Sequence, residues 1–306
     1  MSDLAPPAPT IAEDAAEPVV RIRGLRKSYG SFTAVDGIDL DIFAGETFAL
    51  LGPNGAGKST TVEILEGFRD RSSGEVSVLG VDPAHANAAW KARIGVVLQN
   101  ESEPAPYSVR EQLHAFAELY PAPRDIDEVI ASVGLTEQAD VRLSKLSGGQ
   151  LRRVDVALGI VGRPELLFLD EPTTGFDPQA RRDFWQLIRS LGEQGTTIIL
   201  TTHYLDEAEY LAQRVGVIDR GRLLQVSPMS EIGDPKDRVP RVRWRDAEGR
   251  LQERITEQPG AVVSALLAEH GGAEPPGLEV MRPRLEEIYL SMIGQSQLLE
   301  SDGVAR

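Results

Sequence analysis

A glycine-rich segment at residues 52–60 constrains this chain more than any other part of it. It reads Gly-Pro-Asn-Gly-Ala-Gly-Lys-Ser-Thr and fits G-x-x-x-x-G-K-S/T, the loop that wraps phosphates between a strand and a helix. The apolar run at residues 48–51 predicts the preceding strand, and residues 61–65 are typical of the start of the following helix. Glycines let backbone N–H groups converge on an anion, and the helix N-terminus adds partial positive charge. The segment therefore predicts a phosphate site in an α/β fold.

Two residues at the end of this loop carry its expected chemistry. The Lys58 ammonium group should reach the β- and γ-phosphates of a nucleotide, and the Ser59 hydroxyl should ligate Mg²⁺. The alternative is a glycine-rich turn that binds nothing, which the Lys-Ser pair in a strand–turn–helix setting disfavours. The loop indicates a nucleoside triphosphatase, but not the work that hydrolysis drives.

Composition limits what that work can be. The 306 residues suffice for one large domain and a small one, and 47 acidic against 32 basic residues give a net charge of −15, which argues against a broad contact with nucleic acid. The chain has no cysteine, so disulfides and thiolate zinc sites are excluded. No apolar run approaches the ~18 residues needed to span a bilayer, and the N-terminus lacks a secretion signal. We therefore expect a cytoplasmic chain whose membrane role needs a separate partner.

Sequence character divides the chain into three regions. Residues 1–18 are rich in alanine, proline and acids, and they are expected to form a disordered tail. Residues 19–228 predict an α/β domain, in which the amphipathic spacing at about 101–162 indicates a helical subdomain. Residues 229–306 shift to proline, glycine and charge, and they predict a small α+β module without a catalytic pattern, expected to serve dimerisation or regulation.

The predicted helical subdomain carries clear local signals. Ser108 and Glu111 have the spacing of a capping box at a helix start. Gly134 follows a second amphipathic segment at the position where a glycine commonly ends a helix.

A pair of acids follows a segment that predicts a buried strand. Residues 166–169 are continuously apolar, which is typical of a central strand in a parallel sheet, and Asp170 and Glu171 stand at its carboxyl end. Burying two acids is costly without a partner, and Mg²⁺ with phosphate-bound water would supply one. Further along, Asp177 before Pro178 predicts the N-cap of a helix.

Four other features have an ordinary explanation when each is taken alone. Residues 147–150 place Ser-Gly-Gly-Gln at a predicted helix start, which suits an anion but is most often a loop. Tyr29 precedes a glycine and is more often a packing residue than a ligand contact. Gln99 ends a predicted strand, and His203 stands just past another. These features indicate a shared function only when their order along the chain is considered.

Taken together and in this order, the motifs resemble those of ATP-binding cassette (ABC) proteins. The resemblance covers about residues 19–226, and its most specific parts are the phosphate loop and the Leu-Ser-Gly-Gly-Gln sequence at 146–150. It implies an α/β fold: a P-loop NTPase (RecA-like) ABC ATPase core with an antiparallel β subdomain and a helical subdomain, followed by the small C-terminal α+β module. Residues 166–178 and 202–208 look like those of ABC-2 type exporter subunits, including daunorubicin-resistance-type pumps.

The resemblance also implies a role for each residue of the motifs. Tyr29 would stack on the adenine ring. The triphosphate would be bound by Gly52, Pro53, Asn54, Gly55, Ala56, Gly57, Lys58, Ser59 and Thr60. The ligands of Mg²⁺ would be Ser59, Gln99 and, through water, Asp170. Glu171 would act as general base on the attacking water and His203 would contact the γ-phosphate, with Lys58 and Gln99 completing the catalytic group.

A complete site of this kind requires two copies of the chain. The resemblance implies that Ser147, Gly148, Gly149 and Gln150 cap the γ-phosphate of ATP bound to the other protomer, with Asp177 at the junction. The expected assembly is an ATP-dependent homodimer, attached to separately encoded membrane permease subunits on the cytoplasmic face of the membrane. No nucleic-acid partner is expected.

The function that this resemblance implies is ATP hydrolysis that powers a membrane exporter. One alternative is the ATPase of an importer, with the C-terminal module as its regulator, and a neighbouring gene for a binding protein would favour it. The other is an ABC ATPase that acts on ribosomes or DNA without transport. The single cassette and the lack of cysteine and of a long heptad run disfavour this second alternative. The sequence does not specify a transported substrate.

Overall fold

The computed structural model divides the chain into two units, Met1–Met229 and Ser230–Arg306. It describes residues 17–98, 106–246, 248–283 and 285–303. The expected tail therefore lies outside the described residues, apart from its last two positions.

The first unit has the alternating strands and helices expected of an α/β domain. Its strands are β1 (Val20–Tyr29), β2 (Phe32–Ile42), β3 (Thr47–Leu51), β4 (Ser73–Val78), β5 (Ile94–Val97), β6 (Leu166–Asp170), β7 (Thr197–Thr202), β8 (Arg214–Asp219) and β9 (Arg222–Pro228). Its α-helices are α1 (Lys58–Leu65), α2 (Ala88–Lys91), α3 (Val109–Ala117), α4 (Ile126–Ser132), α5 (Gly148–Ile160), α6 (Pro178–Glu193) and α7 (Leu205–Leu211).

The main sheet has six strands in the order β5-β6-β7-β3-β8-β9. The first five of these strands pair in parallel, and β9 joins β8 as an antiparallel edge. All four apolar residues at 166–169 of β6 are fully buried, as expected for a central parallel strand covered on both faces. Because parallel strands end at the same edge, Leu51, Asp170 and Thr202 are brought to one side of the sheet.

A second, antiparallel sheet has the order β2-β1-β4. In β2, Ile38, Leu40 and Ile42 are buried while Asp39 is exposed, the alternation of a half-buried strand. Strand β1 extends to Tyr29, because it pairs with β2 along nearly its whole length. Its inner face belongs to the same hydrophobic core as α1 and the main sheet.

Helices α3, α4 and α5 occupy the region between β5 and β6. The capping box predicted at the start of α3 is confirmed: Ser108 Oγ accepts from Glu111 N at 3.2 Å, and Glu111 Oε2 accepts from Ser108 N at 2.8 Å. Gly134 follows α4 with φ of +69°, the left-handed conformation that its position predicts. Local cap signals therefore fix where these helices begin and end.

The second unit has its own small hydrophobic core. The elements of this unit are β10 (Arg241–Arg245), β11 (Leu251–Ile255), α8 (Pro259–Glu269), β12 (Glu279–Met281) and α9 (Leu285–Gly303). The strands form an antiparallel sheet of order β11-β10-β12. Val242 of β10 packs with Val262 and Leu266 of α8. In the part of the chain that the structure describes, no helix is long and apolar enough to cross a membrane.

The capping box of α3 gives a stability test of the helical region. Ser108→Ala removes the acceptor for Glu111 N, so we expect the thermal unfolding midpoint to fall by about 2 to 4 °C, the equivalent of about 1 kcal/mol in a unit of this size. Ser190→Ala is the matched control, because Ser190 lies inside α6 and bonds only the carbonyl of Leu187. Equal midpoints for Ser108→Ala and the unmodified chain would contradict the role of the cap.

Candidate active site

The phosphate loop connects β3 to α1, and two of its glycines have no room for a side chain. A Cβ added at Gly52 would lie 2.3 Å from Ile218 O, and one added at Gly57 would lie 2.4 Å from Ala34 O. Gly57 also has φ of +103°, in the left-handed region that favours glycine. The loop therefore packs tightly against neighbouring backbone, which fixes the direction of its own N–H groups.

Lys58 is the first residue of α1, and its side chain is buried. Its Nζ donates to Gly52 O at 2.9 Å and to Pro53 O at 3.3 Å, and it lies 3.3 Å from Glu171 Oε1. A buried ammonium group needs such partners because desolvation penalises its charge. The loop thus holds a fixed cation at a helix N-terminus, an arrangement that suits an anionic phosphate.

Asp170 ends β6 and receives hydrogen bonds from two hydroxyl groups. Ser59 Oγ donates to Asp170 Oδ1 at 3.3 Å, and Thr201 Oγ1 of β7 donates to the same oxygen. Carboxylate and hydroxyl oxygens are the ligands that Mg²⁺ prefers, with substrate phosphates and water completing its shell. Within the described ranges, no group of three or more acids, histidines or cysteines could hold a metal by itself. The donor set therefore fits a cation that arrives with a phosphate, and the predicted ligand Gln99 lies outside the described residues.

Glu171 stands next to Asp170 with a buried carboxylate and an unusual backbone. Its φ is +44°, and its N–H is directed at both the carbonyl and the hydroxyl oxygen of Thr201, each at 3.1 Å. Its Oε2 lies 3.3 Å from His203 Nδ1, without the alignment of a hydrogen bond, while Oε1 faces Lys58. The structure thus brings together four residues from three distant segments of the sequence: a lysine, two adjacent acids and a histidine.

The predicted Ser-Gly-Gly-Gln element forms the N-terminus of α5. Ser147 Oγ accepts from Gln150 N at 3.3 Å, and Gln150 Oε1 accepts from Ser147 N at 2.9 Å, which is a second capping box. Asp177 is the N-cap of α6, and bonds from the N–H groups of Ala180 and Gln179 lower the pKa of its carboxyl group. A Cβ added at Gly149 would lie 3.8 Å from that of Ala180, so the two helix starts are neighbours. Both face outwards, and the structure does not join Ser147 or Asp177 to the phosphate loop of the same chain.

Tyr29 lies at the end of β1, with 41% of its surface exposed. Two cations approach its ring: Lys27 Nζ lies 5.0 Å from the ring centroid, and Arg69 Cζ lies 5.5 Å from it. Cation–π attraction of this kind orients a ring without covering it completely. The aromatic face is therefore held in place at the surface.

Sequence reasoning missed two residues that support the acids. Thr201 lies within β7, where its hydroxyl bonds Asp170 and faces the N–H of Glu171. Glu207 of α7 is fully buried and accepts from Thr173 Oγ1 at 2.8 Å and from Trp185 Nε1 at 3.0 Å, and burial raises the pKa of its carboxyl group. It links the segment after Glu171 to the helix after His203. An acid next to the apolar helix positions Ala208 and Leu211 was the available sequence signal.

Glu66 is a third residue that the sequence did not single out. It caps the C-terminal end of α1. Burial, followed by the nearby negative charges of Asp170 and Glu63, raises the pKa of its carboxyl group to about 8. A neutral carboxyl group at pH 7 avoids adding another negative charge beside the acids of β6.

Comparison with known proteins agrees with this fold and geometry. Residues 35–174 match the ABC transporter family. The Nod factor export ATP-binding protein I of Ralstonia nicotianae is 35% identical over 95% of this chain and 97% of its own length. The daunorubicin resistance ATP-binding protein DrrA3 of Streptomyces coeruleorubidus is 33% identical over 92% of this chain and 98% of its own.

Solved structures show the same fold. The cbiO1 protein of Clostridium perfringens, part of an ABC transporter complex, shares 28% identity and a TM-score of 0.64 over 69% of this chain and 89% of its own. The ATP-binding cassette MJ0796, in a dimeric post-hydrolysis state with ADP and Pi, shares 23% identity and a TM-score of 0.61 over 69% and 98%.

The phosphate loop, the parallel sheet and the acids at its edge define a P-loop nucleoside triphosphatase. Within that class, the chain belongs to the family of ABC transporter ATP-binding proteins. The resemblance found in the sequence and the expected fold class are both confirmed. Members of this family hydrolyse ATP to drive transport, so the chain is an ATPase.

The buried carboxyl group of Glu66 predicts a pH dependence of stability. Since its pKa is about 8 in the folded state and 4.5 ordinarily, the folded chain holds a proton that the unfolded chain releases between these values. This contribution to stability is complete below pH 4.5 and is lost as the pH rises through about 8. Glu66→Gln should therefore be more stable, relative to the unmodified chain, at pH 9 than at pH 6.

Urea unfolding without nucleotide or Mg²⁺ measures this difference. Glu118→Gln, which removes a charge from the exposed end of α3, is the control and should show no such trend. Parallel stability curves for Glu66→Gln and the unmodified chain would show that the Glu66 carboxyl is not held neutral.

Proposed function

We propose that this chain is the ATP-hydrolysing subunit of a membrane exporter, which binds MgATP between two head-to-tail copies and passes the energy of hydrolysis to separate transmembrane subunits. The observation that carries the catalytic part is the meeting of Lys58, Asp170, Glu171 and His203 beside the phosphate loop. Two relatives that align over nearly their whole length are named for Nod factor export and for daunorubicin resistance, which supports export over import.

The phosphate loop and Lys58 bind the triphosphate. Backbone N–H groups at the start of α1 and the Lys58 ammonium group supply the positive potential. Phosphoryl transfer needs mainly positioning and charge neutralisation, and Mg²⁺ would supply part of the latter when bound. Ser59 and Asp170, together with Gln99, would hold it. Tyr29 would stack on the adenine ring through its exposed face.

Glu171 accepts the proton of the attacking water. Its carboxylate is buried, with Oε1 3.3 Å from Lys58 Nζ and Oε2 3.3 Å from His203 Nδ1, so it is held in one position beside the phosphate loop. His203, whose ring lies beside that carboxylate, would contact the γ-phosphate. A base held in place contributes about 10²- to 10⁴-fold to the rate of such a reaction.

The site is completed by a second copy. The N-termini of α5 and α6 lie side by side and face outwards, and their N–H groups and partial positive charge suit a phosphate from another molecule. Residues Ser147 to Gln150 of one copy would cap the γ-phosphate held by the other, with Asp177 at the junction. The dimeric state of the cassette MJ0796 supports this arrangement.

The rest of the proposal concerns location and domain roles. We place the chain on the cytoplasmic face of the membrane, attached to integral permease subunits, because no described helix could cross a bilayer itself. Residues 19–228 would form the ATPase domain, and 229–306 would form an extension that serves dimerisation or regulation. An import function would be favoured by a neighbouring gene for a binding protein.

Replacing the general base tests the catalytic role. Glu171→Gln keeps the shape of the side chain but removes its basicity, so hydrolysis should fall about 10²- to 10⁴-fold while ATP binding persists. MgATP should then accumulate a stable dimer, because ATP joins the copies and hydrolysis no longer separates them. Phosphate release gives the rate, and size-exclusion chromatography with light scattering gives the dimer.

Lys58→Ala is the comparison variant, because it removes the buried cation from the phosphate loop. It should bind ATP weakly and remain monomeric with MgATP. Unchanged hydrolysis by Glu171→Gln would exclude Glu171 as the base, and a monomeric Glu171→Gln with MgATP would exclude the shared site.

Co-expression tests the transport partner. A tagged chain should co-purify in detergent with a hydrophobic membrane protein encoded beside it, and ATP hydrolysis should change when that protein is reconstituted in lipid. A chain that instead binds ribosomes or DNA at physiological salt would support the alternative without transport.

A further inference from the structure

Arg152 of α5 has a buried guanidinium group that bonds three main-chain carbonyls. The residue is 3% exposed. Its Nε donates to Pro172 O at 3.0 Å, its Nη2 donates to Asp170 O at 3.2 Å, and its Nη1 donates to Leu98 O. A planar guanidinium group has donors in fixed directions, so it fixes the relative positions of the groups that it bonds.

These three carbonyls belong to the two segments that carry the proposed chemistry. Asp170 and Pro172 are the residues on either side of Glu171, and Leu98 immediately precedes Gln99. One side chain therefore holds the main chain on both sides of the proposed base, together with the end of the neighbouring segment.

The backbone of Glu171 needs such support. Its φ of +44° is unfavourable for a residue with a side chain, so it persists only where the surroundings impose it. Thr201 receives the N–H of Glu171 on the β7 side, while Arg152 holds the flanking carbonyls from α5. The direction of the carboxylate depends on both contacts.

The adjacent arginine shows what a purely structural role looks like in the same helix. Arg153 Nη1 donates to Val133 O at 2.9 Å, at the C-cap of α4, so this bond stays within the helical region. Arg152 is instead directed at β5, β6 and the segment after β6, and Asp155 Oδ2 at 3.6 Å partly compensates its charge.

We propose that Arg152 is a positioning residue for ATP hydrolysis, which holds the Glu171 carboxylate in its productive direction through the main-chain carbonyls on either side of it. This inference rests on the proposed role of Glu171 as the base. Since Ser147 begins the same helix, Arg152 also joins the element that is proposed to meet the second copy to the base of its own copy.

Arg152→Lys tests the inference, because lysine keeps the positive charge but lacks the planar guanidinium group, whose N–H donors point in fixed directions. We expect kcat to fall about 10- to 100-fold, the loss typical of a displaced reacting group, while the Kd for ATP stays near that of the unmodified chain and the variant remains folded at the assay temperature. MgATP should accumulate a stable dimer, as is also expected of Glu171→Gln. A merely structural loss would weaken binding, folding and dimer formation together.

Arg153→Lys is the matched control, and it should leave kcat, Kd and the dimer unchanged. Glu171→Gln is measured beside both variants. If Glu171→Gln abolishes hydrolysis and Arg152→Lys behaves like Arg153→Lys, the role of Arg152 is wrong while the proposed function stands. If Glu171→Gln remains active, the proposed role of Glu171 as the base fails, and the inference about Arg152 fails with it. If Arg152→Lys does not fold, Arg152→Gln replaces it, because glutamine keeps two N–H donors. The same criteria then apply to Arg152→Gln. If this variant is active but binds ATP more weakly, the inference is overturned.

Discussion

The structure depends on keeping several charges buried at one edge of an otherwise apolar sheet. Strands β3 and β6 each bury four consecutive apolar residues, yet Lys58, Asp170 and Glu171 gather at the edge of the sheet where these strands end. Each charge would be costly alone, because desolvation penalises it. The ammonium group offsets the carboxylates, and hydroxyl groups and main-chain atoms satisfy most of the remaining positions. A phosphate and a cation can enter this network because its partners already suit them.

The need to compensate buried charge also explains the polar residues around Asp170 and Glu171. Thr201 is fully buried because its hydroxyl serves Asp170 and faces the N–H of Glu171, and Arg152 is buried because three carbonyls need its donors. Glu207 is likewise a buried polar residue with hydrogen-bond partners. Through its bond with Thr173 it connects the segment after Glu171 to α7, the helix after His203. The residues around the acids therefore come from three different elements of the fold, β7, α5 and α7.

The N-termini of α5 and α6 are exposed, whereas Lys58 and Glu171 at the edge of the main sheet are buried. Ser147 and Asp177 satisfy the first N–H groups of α5 and α6 with their own side chains, so these helices are stable without a ligand. The starts of both helices are exposed and lie beside each other. In the proposed function, one chain contributes the half-site around Lys58 and Glu171, and the exposed half-site at Ser147 and Asp177 meets a second copy.

The sequence by itself determined the features that local geometry governs. The phosphate loop, the Ser108 capping box and the buried strand β6 were predicted because left-handed glycines, cap spacing and continuous apolar runs are readable over a few residues. The ordered motifs also sufficed for the family. The roles of the motif residues remain proposals, and Gln99 lies outside the described residues. Only the tertiary structure decided which of two adjacent arginines, Arg152 or Arg153, turns towards the acids. The carbonyls that Arg152 bonds lie 18 to 54 residues away in the sequence, and no local pattern encodes contacts over that distance.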